Sequence, residues 1–363
     1  MWFKTRFTEL LKLRYPIVQG PFGGGHSSAE LVAAVTNAGG LGSFGAMGLA
    51  PAELGGLCAS IRAMTDGPFA INLWVSTADD LSDVPSMEAR YEEALSPLEP
   101  LFEALGVAPP MLVPATPHDF EAQAEALIEA APPVFSFVFG VPSEDILERC
   151  RQRGIVTAGT ATTVEEAVAL DQAGVDVIVA TGFEAGGHRV SFLRSAESSL
   201  MGTLALVPQV VDAVRAPVVA AGGIADGRGV AAVLALGASG AQIGTAFLAC
   251  EESNATTHHR DTLHSEIAWH TVLTRAYSGR LGRGLANRVS EAYATRHERP
   301  MPYPVQGQLN RALREAGEAQ GRDDFTPLWA GQSARLVRDR HAAALIQRVV
   351  EEVEERIGVL GGE

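Results

Sequence analysis

The sequence predicts an α/β fold: a (β/α)8 barrel with an added helical subdomain near the C-terminus. Eight short apolar runs rich in β-branched residues recur along the chain. They do not alternate apolar with polar residues, which marks strands buried on both faces of a parallel sheet. Helical patterns with capped starts and glycine stops lie between them, so the repeating unit is βαβ. Eight such units close a barrel. A doubly wound sheet is the alternative arrangement.

In chain order, strands are expected at PIVQG (from Pro16), LGSFG (Leu41), FAINLWV (Phe69) and VFSFVFG (Val134). Four more follow at GIVTAG (Gly154), VDVIVATG (Val175), APVVAAGGI (Ala216) and GAQIGTAFL (Gly240). Helices are read at SSAELVAAVTNAG (Ser27), PHDFEAQAEALIEA (Pro117), TVEEAVALDQAG (Thr163), ALVPQVVDAV (Ala205) and GRGVAAVLALG (Gly227). The helices from Thr163 and Gly227 both run through a glycine-containing turn into a strand. This is βα repetition, not a solenoid of fixed period. The stretch from Ser76 to Pro133 is about twice a normal βα connection. It is acidic and helical at its start, and reads as a surface excursion or a lid over the barrel mouth.

After Cys250 the pattern changes to several helices, few strands and most of the late charges. The expected division is a barrel over 1–252, a helical subdomain over 253–325 and a returning helical segment over 326–363. The last segment contains SARLVRDRHAAALIQRVVEEVEERIG, an amphipathic closing helix.

Composition narrows the function. The chain has 363 residues, 47% hydrophobic and 20% charged, which supports a sizeable buried core. A net charge of −15 argues against phosphate-backbone binding and against an anionic membrane surface. The start, MWFKTRFTELLKLRYP, lacks a continuous apolar stretch of the secretory kind. Two long uncharged windows, 31–52 and 229–250, are rich in glycine and alanine and read as helix, turn and strand, not as membrane spans. Cys58, Cys150 and Cys250 are far apart and odd in number, so they read as buried thiols in a reducing cytoplasm. No metal site is expected: His258, His259, Asp261 and His264 read as a solvated face.

In a (β/α)8 barrel, ligands bind at the carboxyl ends of the strands. Glycines cluster there: QGPFGGG after strand one, EAGGH after six, AAGGI after seven and IGTAF after eight. The loops after strands seven and eight, with Gly222 and Gln242, are placed where barrels bind phosphate. The same glycines also serve tight βα turns. His188 ends the EAGGH loop. It is a candidate proton carrier or anion holder, or a loop histidine bonded to its own turn. Glu184 is a candidate acid or base that also suits turn amides. No G-x-S-x-G nucleophile motif is present, and no G-x-G-x-x-G follows strand one in the dinucleotide manner, since GPFGGG departs from it.

The stretch GTATTVEEAVALDQAGVDVIVATGFEAGGHRVSFLRS resembles the flavin-dependent nitronate monooxygenases, also called 2-nitropropane dioxygenases. PIVQGPFGGG…NAGGLGSFGA, FAINLWV and AAGGIADGRGVAAVLALGASGAQIGTAFLACEES resemble their first, third and last strands. YSGRLGRGLANR and YPVQGQLNRALREA…WAGQSARL resemble their helical part and its return. The likeness spans nearly the whole chain. It implies a barrel carrying FMN. By that resemblance Pro21, Phe22 and Gly23 form the turn beside the flavin ring, and Asn72, Thr181, Gly186, Gly187, Gly222 and Gly223 lie against the cofactor. Gln242, Ile243, Gly244 and Thr245 would cradle its phosphate, and His188 would be the catalytic residue. The sequence departs from the family at Thr181, where glutamine is common, and at Pro21-Phe22, where the family often has Pro-Met.

The resemblance implies oxidation of alkyl nitronates, and of nitroalkanes, by molecular oxygen to carbonyl products and nitrite. It leaves a homodimer open. A second likeness is to flavin-dependent enoyl-acyl-carrier-protein reductases, which use NAD(P)H. A flavin-free phosphate-binding barrel is the remaining rival. It lacks an evident catalytic lysine, since Lys4 and Lys12 both precede strand one.

Overall fold

A computed structural model describes residues 1–79, 86–112, 117–294 and 299–361. The strands, in chain order, are β1 (Ile17–Gln19), β2 (Gly42–Gly45), β3 (Phe69–Trp74), β4 (Val134–Val138), β5 (Val156–Ala161), β6 (Val177–Thr181), β7 (Gly187–His188), β8 (Val218–Ala221), β9 (Gly240–Ile243), β10 (Thr271–Thr274) and β11 (Gly282–Leu285). Eight of them form one parallel sheet in the order β1-β9-β8-β6-β5-β4-β3-β2. Leu41 N–H donates to Ile17 O and Gln19 N–H to Leu41 O, both at 2.9 Å, which joins β2 to β1 and closes the barrel. All eight runs read from the sequence become these strands. β3 and β6 are buried along their whole length, the burial their unbroken apolar character predicted.

Helices cover the outside of the barrel. The helix Ala29–Asn37 starts at Ser28, whose hydroxyl accepts from Leu31 N–H, and buries Leu31, Val32 and Val35. Each such side chain contributes about 1.5–3 kcal/mol on leaving water. The helices Val164–Gln172 and Gly227–Ala235 end alike: Gly174 and Gly237 have φ of +80° and +93°. Val175 N–H reaches back to Leu170 O and Ala238 N–H to Val233 O, which caps the last turn and aims the chain into the next strand. That geometry explains the repeated turn in the sequence. Both uncharged windows are helix, turn and strand, and no described helix is long and apolar enough to cross a membrane.

The barrel interior is filled by Val18, Leu41, Ala70, Val134, Ala158, Val177, Val179 and Val219. Phe7 and Leu11, from the helix Arg6–Leu11, join that cluster. A Cβ on Gly240 would sit 3.1 Å from the Phe7 ring, so the N-terminal helix stoppers the end of the barrel where the strands begin. The opposite end stays open for a ligand.

A second core lies apart from the first. It joins Leu98, Leu101, Phe102 and Leu105 to Tyr277, Val289, Leu309, Leu313 and Phe325. The excursion after β3 therefore supplies helices Met87–Leu95 and Glu99–Leu105 to the same core as helix Val305–Ala319. Parts of the excursion (80–85 and 113–116), and residues 295–298 and 362–363 of the later segments, lie outside the described residues. The stretch YSGRLGRGLANR, which reads as part of a helical region, instead contains β11. β11 pairs antiparallel with β10 and with β7 of the loop after β6. Gly282 and Gly284 permit this, since a Cβ on either would meet the Trp329 ring or Leu328 O below 3 Å. The closing helix runs over Ala342–Gly361 and packs on Gly227–Ala235, with Val349 O only 2.6 Å from where a Gly227 Cβ would be.

Candidate active site

The carboxyl ends of the strands open on a cavity of about 730 Å³. Its floor and walls include Pro21, Phe22, Gly23, Asn72, Thr181, Gly186, Gly187, His188, Gly222, Gly223, Gln242, Gly244 and Thr245. Ile243 is placed differently. Its side chain is fully buried in the core, and its carbonyl accepts from Gly20 N–H at 2.9 Å.

The glycines leave the floor bare. Gly222 and Gly223 follow β8 with φ of +100° and +71°, a backbone that other residues adopt only with strain. A Cβ on Gly244 would meet nothing within 4 Å. Among the described residues, nothing accepts from the N–H groups of Gly222, Gly223, Gly244 or Thr245. These donors sit at the ends of β8 and β9, on adjacent strands. Thr245 Oγ1 instead accepts from Gly331 N–H at 2.9 Å, which ties the returning segment to the barrel mouth.

The loop after β6 is pinned from within. Glu184 accepts from Thr203 N–H at 2.9 Å and from Thr203 Oγ1 at 3.0 Å. It anchors the start of the helix Thr203–Ala213. Glu166, fully buried, accepts from Thr162 N–H at 2.7 Å and from Phe192 N–H at 2.6 Å. Arg189 folds back onto the carbonyls of Thr181 and Gly182.

His188 is held in β7 opposite Gly282. Aromatic rings surround it: Trp329 at 4.9 Å, Trp74 at 5.2 Å, Tyr303 at 6.1 Å and Phe139 at 6.4 Å between centroids. Its Nε2 lies 2.7 Å from Ser278 Oγ. Burial lowers its pKa to about 3, the Arg280 guanidinium adds to that and Asp79 opposes it. The ring borders the open cavity and is neutral at pH 7. Arg280 pairs with Asp79 at 2.7 Å and lies over the Phe139 ring at 4.2 Å and the Tyr303 ring at 4.6 Å. Phe139 has φ of +63°, a strained backbone for a bulky residue, and it stands at this wall.

Sequence reasoning missed Trp74, Phe139, Ser278, Arg280, Tyr303 and Trp329. Trp74, Ser278, Arg280, Tyr303 and Trp329 lie in stretches that carry the family resemblance, but no local pattern aims them at His188; the β7–β11 pairing brings Ser278 and Arg280 there. The reading of a solvated face after Cys250 fails at His259, whose side chain is buried. His259 Nε2 lies 3.0 Å from Trp329 O, and His258 and Asp261 pair with Asp323 and Arg340.

The profile of the nitronate monooxygenase family matches residues 4–352. A probable nitronate monooxygenase of Staphylococcus saprophyticus is 39% identical over 357 residues, covering 98% of this chain and 99% of its own. A counterpart in Staphylococcus aureus is 38% identical over the same length. A solved structure of nitroalkane oxidase from Streptomyces ansochromogenes superposes with a TM-score of 0.87 at 36% identity, covering 98% of this chain and 99% of its own. FabK from Thermotoga maritima has a TM-score of 0.72 at 26% identity, covering 99% of both chains. The protein is thus an enzyme, a flavin-dependent oxidoreductase built on a barrel. It belongs to the nitronate monooxygenase family.

Proposed function

We propose that this enzyme oxidises alkyl nitronates, and the nitroalkanes they derive from, with molecular oxygen, using FMN and giving carbonyl products and nitrite. The observation that carries this reading is a neutral histidine, His188, set in an aromatic wall over a glycine floor. The family match and the nitroalkane oxidase likeness support it.

The residues present fit FMN. The cavity has the size of a cofactor site. The open face of Gly244 and the unaccepted N–H groups of Gly222, Gly223, Gly244 and Thr245 suit a phosphate dianion, with no lysine required. Gln242 borders the same end, while Ile243 contributes through the backbone position it fixes. Pro21, Phe22, Gly23, Asn72, Thr181, Gly186 and Gly187 would hold the ring system. When bound, the flavin supplies electron acceptance from the substrate and the reaction with oxygen.

The chain supplies binding and proton handling. Trp74, Tyr303 and Trp329 pack around the ring of His188 and would present apolar surface to an alkyl group. Asn72, tied to Ser136 Oγ at 3.0 Å, is held in one orientation at the end of β3. The substrates of this reading are free small molecules. In the variant His188→Ala the flavin is retained and turnover is lost. Full turnover in that variant contradicts the role given to His188. Reduction of the bound flavin by NAD(P)H, with no response to nitronates, would favour the reductase reading instead.

A further inference from the structure

We propose that Ser278 fixes the tautomer of His188, leaving Nδ1 as a proton acceptor toward the cavity, so that the site takes neutral nitroalkanes and not only their nitronates. This rests on the reading of His188 as the group that handles the substrate proton.

Ser278 is buried, and its Oγ has two neighbours: His188 Nε2 at 2.7 Å and the Arg280 carbonyl at 3.3 Å. A hydroxyl carries one proton. A carbonyl only accepts, so both contacts of Oγ are hydrogen bonds only with the serine proton on Arg280 O. Turning it toward His188 would set two oxygen lone pairs against each other. Oγ then accepts, and His188 Nε2–H donates. A neutral imidazole has one N–H, so Nδ1 carries the lone pair. Among the described residues Nδ1 has no partner, yet it is not one of the buried unpartnered atoms. It belongs to a ring that lines the cavity.

The fold enforces the pair. β11 is docked on β7, so His188 faces Gly282, and the turn Ala276–Gly279 is drawn beside the ring. Gly279 has φ of +95° and lies against Met301 O, so no other residue fits that turn without strain. Asn310 Nδ2 donates to the carbonyls of Ala276 and Tyr277 at 2.6 Å and steadies it from the second core.

The tautomer decides the chemistry. With Nδ1–H the ring would donate to a nitronate and could not remove a proton. With Nδ1 bare it accepts the α-proton of a neutral nitroalkane. In that step the α C–H bond breaks and the Nδ1–H bond forms. The electron pair moves into the nitro group, leaving a nitronate beside an imidazolium. No oxidant is consumed. The forming anion raises the proton affinity of the ring as the proton arrives. Ser278 is thus a positioning residue.

Two measurements test this. On the wild-type holoenzyme, ring nitrogen NMR shifts of His188, assigned by comparison with His188→Gln, are expected to show Nε2 protonated and Nδ1 bare. The reverse tautomer overturns the proposal. Second, the kcat/KM ratio for nitroethane over ethylnitronate is expected to fall about ten- to a hundredfold in Ser278→Ala, part of the ~10²–10⁴ a positioned base supplies. Ser278→Thr, which keeps the hydroxyl, is expected to restore it. An unchanged ratio in Ser278→Ala overturns the proposal. If the wild type oxidises neither compound, the functional reading fails, and the NMR result still decides the role of Ser278.

Discussion

The guanidinium of Arg189 is folded back so that Nη1 donates to Gly182 O at 2.7 Å, closing the loop that carries His188 into a ring. Nη2 donates to Thr181 O at 3.0 Å, and the side chain is only 2% exposed. Burial lowers its pKa to about 10, which leaves it charged at neutral pH.

Arg189→Met is expected to strip the guanidinium from Thr181 O and to leave Gly182 O with the Ala185 N–H at 3.2 Å, at a cost of about 2–4 kcal/mol of stability. Arg189→Lys cannot fork to both carbonyls and should recover only part of it. Denaturant unfolding of the holoenzyme measures the loss, and flavin content should fall with it because Thr181 borders the cavity.

Acid is expected to destabilise the fold through its buried histidines. Burial lowers the pKa of His188 to about 3 and that of His259 to about 4. The unfolded chain binds those protons near pH ~6.5 and the folded chain does not. Unfolding is therefore favoured as pH falls: stability is at its full value above ~6.5 and declines from there toward ~4. Each histidine adds a slope of up to about 1.4 kcal/mol per pH unit. His259→Gln, which keeps a donor for Trp329 O, should remove about one proton from that slope. Unfolding midpoints measured across this range check it.

Gly244→Glu is expected to fold and to lose the cofactor. The position has open space and a negative φ of −100°, so a side chain meets no neighbouring atom. A carboxylate there would face a phosphate at the strand ends. The expected cost is roughly a hundredfold in FMN affinity, from like-charge repulsion. Fluorescence titration of the apoprotein reads it, and an unchanged affinity would place the phosphate elsewhere.

Much of this architecture was legible in the sequence. The strands announced themselves because burial on both faces forces unbroken apolar runs, as in Phe69–Trp74. The strand-end glycines were legible because Gly222 and Gly223 need positive φ. Glu184, legible only as either an acid or base or an acceptor of turn amides, accepts from the amide of Thr203, 19 residues on. Other features depend on contacts that no local pattern encodes. β7 is two residues long and exists only because β11 pairs with it. Ser278 and Arg280 reach His188 from 90 residues or more away in the chain. The barrel stopper was hidden for a similar reason: Phe7 and Leu11 lie in a short helix whose apolar residues match no strand pattern. Ile243 shows the limit of residue-by-residue transfer, since its neighbours face the cavity while strand alternation turns its side chain into the core.

The central claim is that this barrel holds FMN and passes substrate electrons from a nitronate to oxygen. The most direct measurement is an absorption spectrum of the purified protein, followed by anaerobic addition of ethylnitronate. The account predicts a yellow protein with one FMN per chain, bleached by the nitronate and restored by air. A colourless protein, or a yellow one whose spectrum the nitronate leaves unchanged, would contradict it.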